Sequence, residues 1–507
     1  MSDADISRFH RALGDAAHAE SLGSVLVLGL GKSGKSVAQY CVDHLGRGVD
    51  RLFIAAGAQT PDSVAFVESI ARDGVEWAFG DDALEADRGH FDLCIASPGI
   101  PFWHDLYVAG SACSDRLMSE VEFAWLLSDP ESMWVAITGT NGKTTTTSLT
   151  AHVLRACGVQ AAAVGNIGDV CLDAVVAGNT NVYVAEVSSY QLYSTCAFAP
   201  DIAVLLNITP DHIHWHRTLD AYAQAKFNVL RRSAEGNRPF KQVAILDATN
   251  DVVRAKVREL RALPPDERGL DYVPMGTADG IAGDMRARCG SDNAAFITED
   301  GTLHVAFKGE DHVVGSVSDL QIKGEHNASN ALAAAAVAVA LGIDDAAIAS
   351  ALASFAPLEH RIEPCGVVSG VRCYNDSKAT NIDATIKALE SFPHEGLVVL
   401  LGGDDKGTDL DDLVASVYAH ARVAVCFGDA GPRFASALES YSGEGKLTCL
   451  HAHHLEDALD VALEAAREGE VVLLSPACAS FDEFHSFEER GDVFKALVAE
   501  RASRGEA

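Results

Sequence analysis

No C-x-x-C pair occurs in this chain, and its twelve cysteines are scattered without paired spacing. That argues against a cysteine metal cluster and a disulfide framework, and it fits a reducing compartment. Basic residues are scarce. The chain has 39 Lys and Arg against 72 Asp and Glu, a formal net charge of −33. A surface of that sign repels phosphates and excludes a nucleic-acid scaffold. Any anionic ligand must be captured by local basic side chains and backbone N–H groups. The most hydrophobic run, "NALAAAAVAVALGI", is too short to span a bilayer and reads as a buried helix. The opening "MSDADISRFHRALGDAAHAE" is polar and has no apolar signal core. A soluble, cytoplasmic chain without membrane insertion is the expectation.

What is present is an ordinary globular composition, 48% hydrophobic and 22% charged over 507 residues. That length predicts two to four domains. Strand-like runs alternate with helical patterns, which predicts an α/β protein with parallel sheets. One block opens with "SVLVLGL", a second with "MWVAIT", and a third carries "VRCYN", "LVVLLGG", "ARVAVCFG" and "EVVLLSP". Within the second, "AAFITEDGTLHVAFKG" reads as a hairpin turning at Asp300-Gly301. The expected domains are 1–132, 133–356 and 357–507, with a linker at Pro357.

The strongest local signal is "WVAITGTNGKTTTTSLT". Gly139, Gly142, Lys143 and Thr144 follow phosphate-loop order, with only Thr140 and Asn141 between the glycines instead of the usual four residues. A buried strand precedes the loop and a helix follows. Its amides and the helix dipole would cradle phosphates, Lys143 would offset charge, and Thr144 would reach Mg²⁺. A plain glycine turn with a surface lysine would explain the string but not this context. Gly29, Gly31 and Gly34 form a second glycine motif after a strand. The next strand ends in "LFIAAGAQ" with no acid to hold a ribose, which disfavours a nicotinamide cofactor and leaves another diphosphate, or a purely structural turn. Glu186 closes the strand "NVYVAE" and could accept Mg²⁺. "ITPDHIHWH" supplies His212 beside His214 and His216, and spacing alone does not say which is functional. Lys226 lies on the inward side of the helix "RTLDAYAQAKFNVL", although an isolated lysine commonly snorkels to the surface.

Together with "GNIG", "EVSSYQL", "NITPDH", "GEHNASNALAA", "HRIE", "NDSKATN", "LLGGDDKG" and "LLSPACASFDEF", in that order from about residue 23 to 498, the chain resembles the Mur ligases. These are ATP-dependent amino-acid-adding enzymes of peptidoglycan precursor synthesis, and the motifs are most similar to the branch that adds D-glutamate to UDP-N-acetylmuramoyl-L-alanine. The resemblance implies three domains: Rossmann-like, then a central phosphate-loop ATPase sheet with an added β segment, then a second Rossmann-like domain. It implies ATP and two Mg²⁺ ions. Gly139, Thr140, Asn141, Gly142, Lys143, Thr144 and Thr145 would hold the triphosphate. Thr144, Glu186, His212 and Lys226, the last as a carbamate, would hold metal. Asn327 and Asn330 would lie near adenine, Arg361 on phosphates and Asp376 near the ribose. Ser33, Ser97 and Gly99 would belong to the uridine-diphosphate pocket, and Asn166, Ser188 and Gln191 would meet the muramoyl substrate. Lys378, Thr380, Lys406, Ser480, Phe481 and Phe487 would meet the incoming amino acid or the substrate. The third block would close over the second near Pro357, and a monomer is expected.

Four other readings compete. A sibling ligase adding a diamino acid would carry "DNPR", which is absent, and a folylpolyglutamate synthase would usually show "GKGS" where this chain has "GKTT". A dehydrogenase rests on the first glycine motif alone. A non-enzymatic nucleotide switch explains the loop but gives Lys226, Lys406 and "SPACAS" no purpose. The segment "IAAGAQT" lacks the charges that help hold uracil in some relatives, and residues 265–323 carry no family motif.

Overall fold

A computed structural model of the chain describes residues 22–84, 88–231, 241–276, 291–322, 324–392, 396–405, 407, 409–441 and 446–505. Three sheets form, and they contain near-continuous apolar strands such as Leu397–Gly402 and Val471–Ala477, buried along their whole length. Such runs suit parallel strands covered by helices on both faces.

The first sheet contains β1 (Gly23–Leu28), β2 (Val49–Ala56), β3 (Val75–Phe79), β4 (Leu93–Ala96) and β5 (Leu117–Ser119), in the order β3-β2-β1-β4-β5, all parallel. The second contains β6 (Met133–Thr138), β7 (Ala161–Gly165), β8 (Val182–Glu186), β9 (Ile202–Leu205), β10 (Gln242–Asp247), β11 (Leu270–Gly276), β12 (Ala294–Ile297), β13 (Thr302–Phe307) and β14 (Glu310–Ser316). Its order is β14-β13-β12-β11-β10-β9-β6-β8-β7. The β12–β13 pair is the expected hairpin, antiparallel, with Gly301 at φ 82° in its turn. The third sheet contains β15 (Glu363–Val368), β16 (Val371–Asn375), β17 (Leu397–Gly402), β18 (Val423–Phe427), β19 (Thr448–His451) and β20 (Val471–Ala477), in the order β15-β16-β20-β17-β18-β19. The α/β reading therefore stands.

The chain divides into two compact units. One runs to Asp319 and takes in Ser329–Ala353, and it holds the first two sheets. The other is Leu320–Ala328 with the residues from Ser354 onward, and it holds the third sheet. The second break falls at the end of the helix Asp345–Ala353, just before Pro357. "NALAAAAVAVALGI" is helical as expected up to Ala340, the end of the helix Glu325–Ala340, and Ala331 to Val339 are buried. No described helix is long and apolar enough to cross a membrane.

Candidate active site

In the first unit β6 is the strand between β9 and β8, with Ile137 opposite Glu186 and Thr138 opposite Leu205. Three loops therefore leave the sheet at adjoining carboxyl ends, where ligands of open α/β sheets gather. The glycine loop after β6 needs its glycines. Gly139 sits at φ 159°, and a Cβ there would lie 3.0 Å from Leu206 Cβ. Gly142 sits at φ 82°, and a Cβ there would lie 2.6 Å from Asn330 Oδ1. Gly142 is the N-cap of the helix Lys143–Ala156 and, having no side chain, places no capping acceptor over the first turn. That is the condition for a phosphate cradle.

The loop is pinned from the β9 side. Asn141 N donates to Asn207 Oδ1 at 2.8 Å, Asn207 Nδ2 donates to Asn141 O at 3.2 Å, and Thr140 N donates to Asn207 O at 2.7 Å. Thr140 Oγ1 meets Tyr222 OH at 3.0 Å. Lys143 Nζ donates to Gly139 O at 2.9 Å and to Thr140 O at 2.7 Å. Thr145 is buried in the first turn, and Thr146 Oγ1 donates to Asn330 Oδ1 at 3.1 Å.

Lys226 is no surface lysine. Only 1% of it is exposed, and its Nζ donates to Gly139 O at 2.7 Å. Burial, reinforced by the Lys143 charge, holds its amine well below the usual lysine range, while Asp211 and Glu186 oppose that shift. The helix that carries it, Leu219–Phe227, is capped by Thr218 and tightens into a 3₁₀ turn at Asn228–Leu230. Glu186 is equally buried. Asn166 Nδ2 donates to its Oε1 at 2.9 Å, while its Oε2 has no hydrogen-bond partner. An orphaned buried carboxylate oxygen beside a phosphate cradle fits a divalent cation, which prefers oxygen ligands. His212 takes a left-handed conformation, φ 54°, at the start of the short helix Ile213–His216, and its backbone N donates to Asp211 Oδ1 at 2.8 Å. Its ring is 41% exposed, whereas His216 is buried against Ser189 Oγ at 2.9 Å and is pushed down to about 4, chiefly by burial. Of the three histidines His216 is packed inside the protein, whereas His212 and His214 are both exposed.

A family model for the Mur ligase middle domain matches residues 137–338, and one for the Mur ligase glutamate ligase domain matches residues 360–478. A UDP-N-acetylmuramoylalanine–D-glutamate ligase of Bacillus cytotoxicus is 35% identical over 94% of this chain and 97% of its own. The protein of that name from Salinibacter ruber is 37% identical over 89% and 95%. The chain belongs to the Mur ligase family. A pseudomurein peptide ligase from Methanothermus fervidus, 16% identical, shares the fold at a TM-score of 0.54, covering 94% of this chain and 99% of that one.

Not every residue singled out from sequence is open to a ligand. The Ser188 and Gln191 side chains are engaged with one another, forming a capping box on the helix Ser189–Tyr193. Asn166 is turned toward Glu186. In the first sheet Gly29 is left-handed at φ 86°, Ser97 Oγ donates to its carbonyl at 3.3 Å, and a Cβ on Gly34 would lie 1.9 Å from that same oxygen. Part of the first glycine motif thus serves close packing. Gly31 and Gly99 have no atom within 4 Å of where a Cβ would sit, so that side of the turn is open, and Ser33 stands half-buried beside it.

In the second unit Asp376, just past β16, accepts from Ser475 Oγ at 2.7 Å and from Ile362 N at 3.2 Å. Burial raises its carboxyl to about 7 against the pull of those bonds and of Arg361. Lys378 Nζ lies 3.6 Å from the centre of the Phe487 ring. Thr380 follows it in the same loop, its N donating to Lys378 O. Ser480 is buried, whereas Phe481 is 70% exposed. Asn327 belongs to this unit and Asn330 to the other. Lys406 lies outside the described residues. Its neighbour Asp405 is held bidentately by Arg433, at 2.5 and 2.8 Å. Sequence reasoning missed Asn207, Tyr222 and Arg490. Arg490 is buried and donates to the carbonyls of Ser377, Cys478 and Ala479, tying two of the motif loops together. Asn207 stood inside "NITPDH" and could have been found there. Arg490 left no local signal.

Proposed function

We propose that the protein ligates D-glutamate to UDP-N-acetylmuramoyl-L-alanine at the expense of ATP, in cytoplasmic peptidoglycan precursor synthesis, and that it acts as a monomer. The observation that carries this is the meeting of an uncapped glycine loop, the half-satisfied carboxylate of Glu186 and buried Lys226 at one sheet edge. The relatives that span nearly the whole chain support the choice of substrates.

In this reading ATP and the two other ligands are substrates, and the first, second and third sheets define domains that bind the nucleotide-sugar, ATP and the amino acid. The substrate carboxylate attacks the γ-phosphorus, ADP leaves, and an acyl phosphate forms. The D-glutamate amine then attacks the acyl carbon, loses a proton, and phosphate is expelled. Thr144, Glu186, His212 and a carbamate on Lys226 would hold two Mg²⁺ ions, which when bound would supply charge neutralisation on the transferring phosphoryl group. Lys143 and the first amides of the helix Lys143–Ala156 stabilise the same charge. Asn166 orients Glu186, and Asn207 with Tyr222 keeps the loop from relaxing. Lys226 approaches a carbonyl oxygen as an amine whose charged form is disfavoured; a carbamate there would place an anion beside Lys143. No covalent nucleophile on the protein is needed, so positioning and electrostatics do the catalysis. Arg361 and Asp376 are assigned to ATP, and Lys378, Thr380, Lys406, Ser480, Phe481 and Phe487 to the amino acid or the substrate.

The test is phosphate release with ATP, Mg²⁺ and UDP-N-acetylmuramoyl-L-alanine, comparing D-glutamate, L-glutamate, L-lysine and meso-diaminopimelate. Release with D-glutamate alone is expected. Release with a different amine moves the protein to a sibling activity. Lys143→Ala is expected to lose ADP formation by on the order of 1000-fold while keeping its fold; near-normal turnover would refute the ATP-loop assignment.

A further inference from the structure

The outer edge of the third sheet carries sulfur, nitrogen and oxygen donors that the ligase chemistry does not use. β19 pairs in parallel with β18, placing Cys449 opposite Ala424 and His451 opposite Cys426. Residues two apart on a strand share a face, so Cys449 and His451 project together. The helix Gly431–Glu439 packs on both strands and ends at Glu439 beside them. Cys449 Sγ, a ring nitrogen of His451 and a carboxylate oxygen of Glu439 all lie within 4.8 Å of one another. His451 Nε2 is 3.5 Å from Glu439 Oε1. Behind them, Cys426 Sγ lies 3.9 Å from Cys449 Sγ. Two thiolates on one tetrahedral zinc ion, each about 2.3 Å from the metal, stand about 3.8 Å apart.

We propose that Glu439, Cys449 and His451, backed by the Cys426 thiol, form a binding site for a soft divalent transition-metal ion of the zinc type. Thiolate and imidazole select such ions over Mg²⁺, which takes oxygen donors. Each thiol that ligates gives its proton to solvent, so the ion replaces a proton and no oxidant is required. Bound there, the ion would clip the last turn of the helix Gly431–Glu439 to β19, an edge strand with a neighbour on one side only. The ligands come from two strands and a helix end, so no C-x-x-C spacing announces them.

The experiment uses the untagged full chain, stripped with chelator, reduced with a phosphine and titrated with Co²⁺ in excess Mg²⁺. The expected result is one equivalent of cobalt bound with thiolate-to-cobalt charge-transfer absorption, displaced by Zn²⁺. Cys449→Ser and His451→Ala should abolish that absorption while circular dichroism and ligase turnover in Mg²⁺ stay at wild-type values. The sulfur band separates this site from any cobalt held by oxygen donors at the ATP loop. Absence of the band in the wild type, or its survival in Cys449→Ser, overturns the proposal. So does a reduced chain that binds no cobalt yet loses both thiols to a mild oxidant, which would make Cys426 and Cys449 a disulfide couple.

Discussion

Lys226 shows how much one side chain can oppose its own burial. Its folded amine titrates well below an unfolded lysine because burial and Lys143 disfavour the charged form. Between the folded and unfolded values the unfolded chain therefore binds more protons, and stability rises with pH through this window. The lysine thus costs stability at neutral pH. Lys226→Met is expected to abolish turnover while leaving the thermal unfolding midpoint at neutral pH unchanged or higher. A midpoint that falls by several degrees would mean that the bond to Gly139 O outweighs desolvation. Intact-mass measurement with and without bicarbonate tests the carbamate separately: the wild type should gain the mass of CO₂ and the variant should not.

At the scale of elements, two helices in the first unit meet through one carboxyl group. Glu120 opens the helix Glu120–Leu127, and its Oε1 accepts from Leu172 N at 2.7 Å near the start of the helix Cys171–Ala177. Its other oxygen has no partner, and burial pushes it up to about 7. A carboxyl whose folded value exceeds its unfolded one stabilises fully below the unfolded value, and that stabilisation is lost as pH rises through about 7. Glu120→Gln keeps an acceptor for Leu172 and cannot ionise. It should flatten the decline in unfolding midpoint between about pH 5 and about pH 8, with a gain at the upper end of at most about 3 kcal/mol. Parallel wild-type and variant curves would contradict this. Elements were legible in the sequence where one residue type dictated them: apolar runs for β6, β17 and β20, Asp300-Gly301 for the hairpin, and the glycines for the turn after β6. Pairings across the sheet were not. Nothing local says that Asn207 clamps Asn141 or that Tyr222 reaches Thr140, whereas the Ser188–Gln191 capping box is a local S-x-x-Q signature. A side chain's partner is fixed by strand order, and strand order is a property of the whole sheet.

For the molecule as a whole, the excess of acidic residues sets the terms on which phosphate-bearing substrates approach. At ionic strengths near 10 mM the Debye length is about 30 Å, and near 150 mM it is about 8 Å. Raising salt over that range at fixed Mg²⁺ should lower the apparent KM for the nucleotide-sugar, because the repulsion of a chain of net charge −33 is screened sooner than short contacts at the loops. A KM that rises instead would mean that local basic groups steer the encounter. Steady-state rates across the salt series decide it.

The position of β6 between β8 and β9 has a consequence for synthesis. As the nascent chain leaves the ribosome, β6 and its phosphate loop emerge before either neighbouring strand exists. With residues added at roughly 5–20 per second, Thr138 waits on the order of several seconds for Leu205, its partner across the sheet. The apolar run "MWVAIT" can pair with β8 first but lacks its β9 neighbour for that interval, which leaves one apolar strand edge for a chaperone to cover.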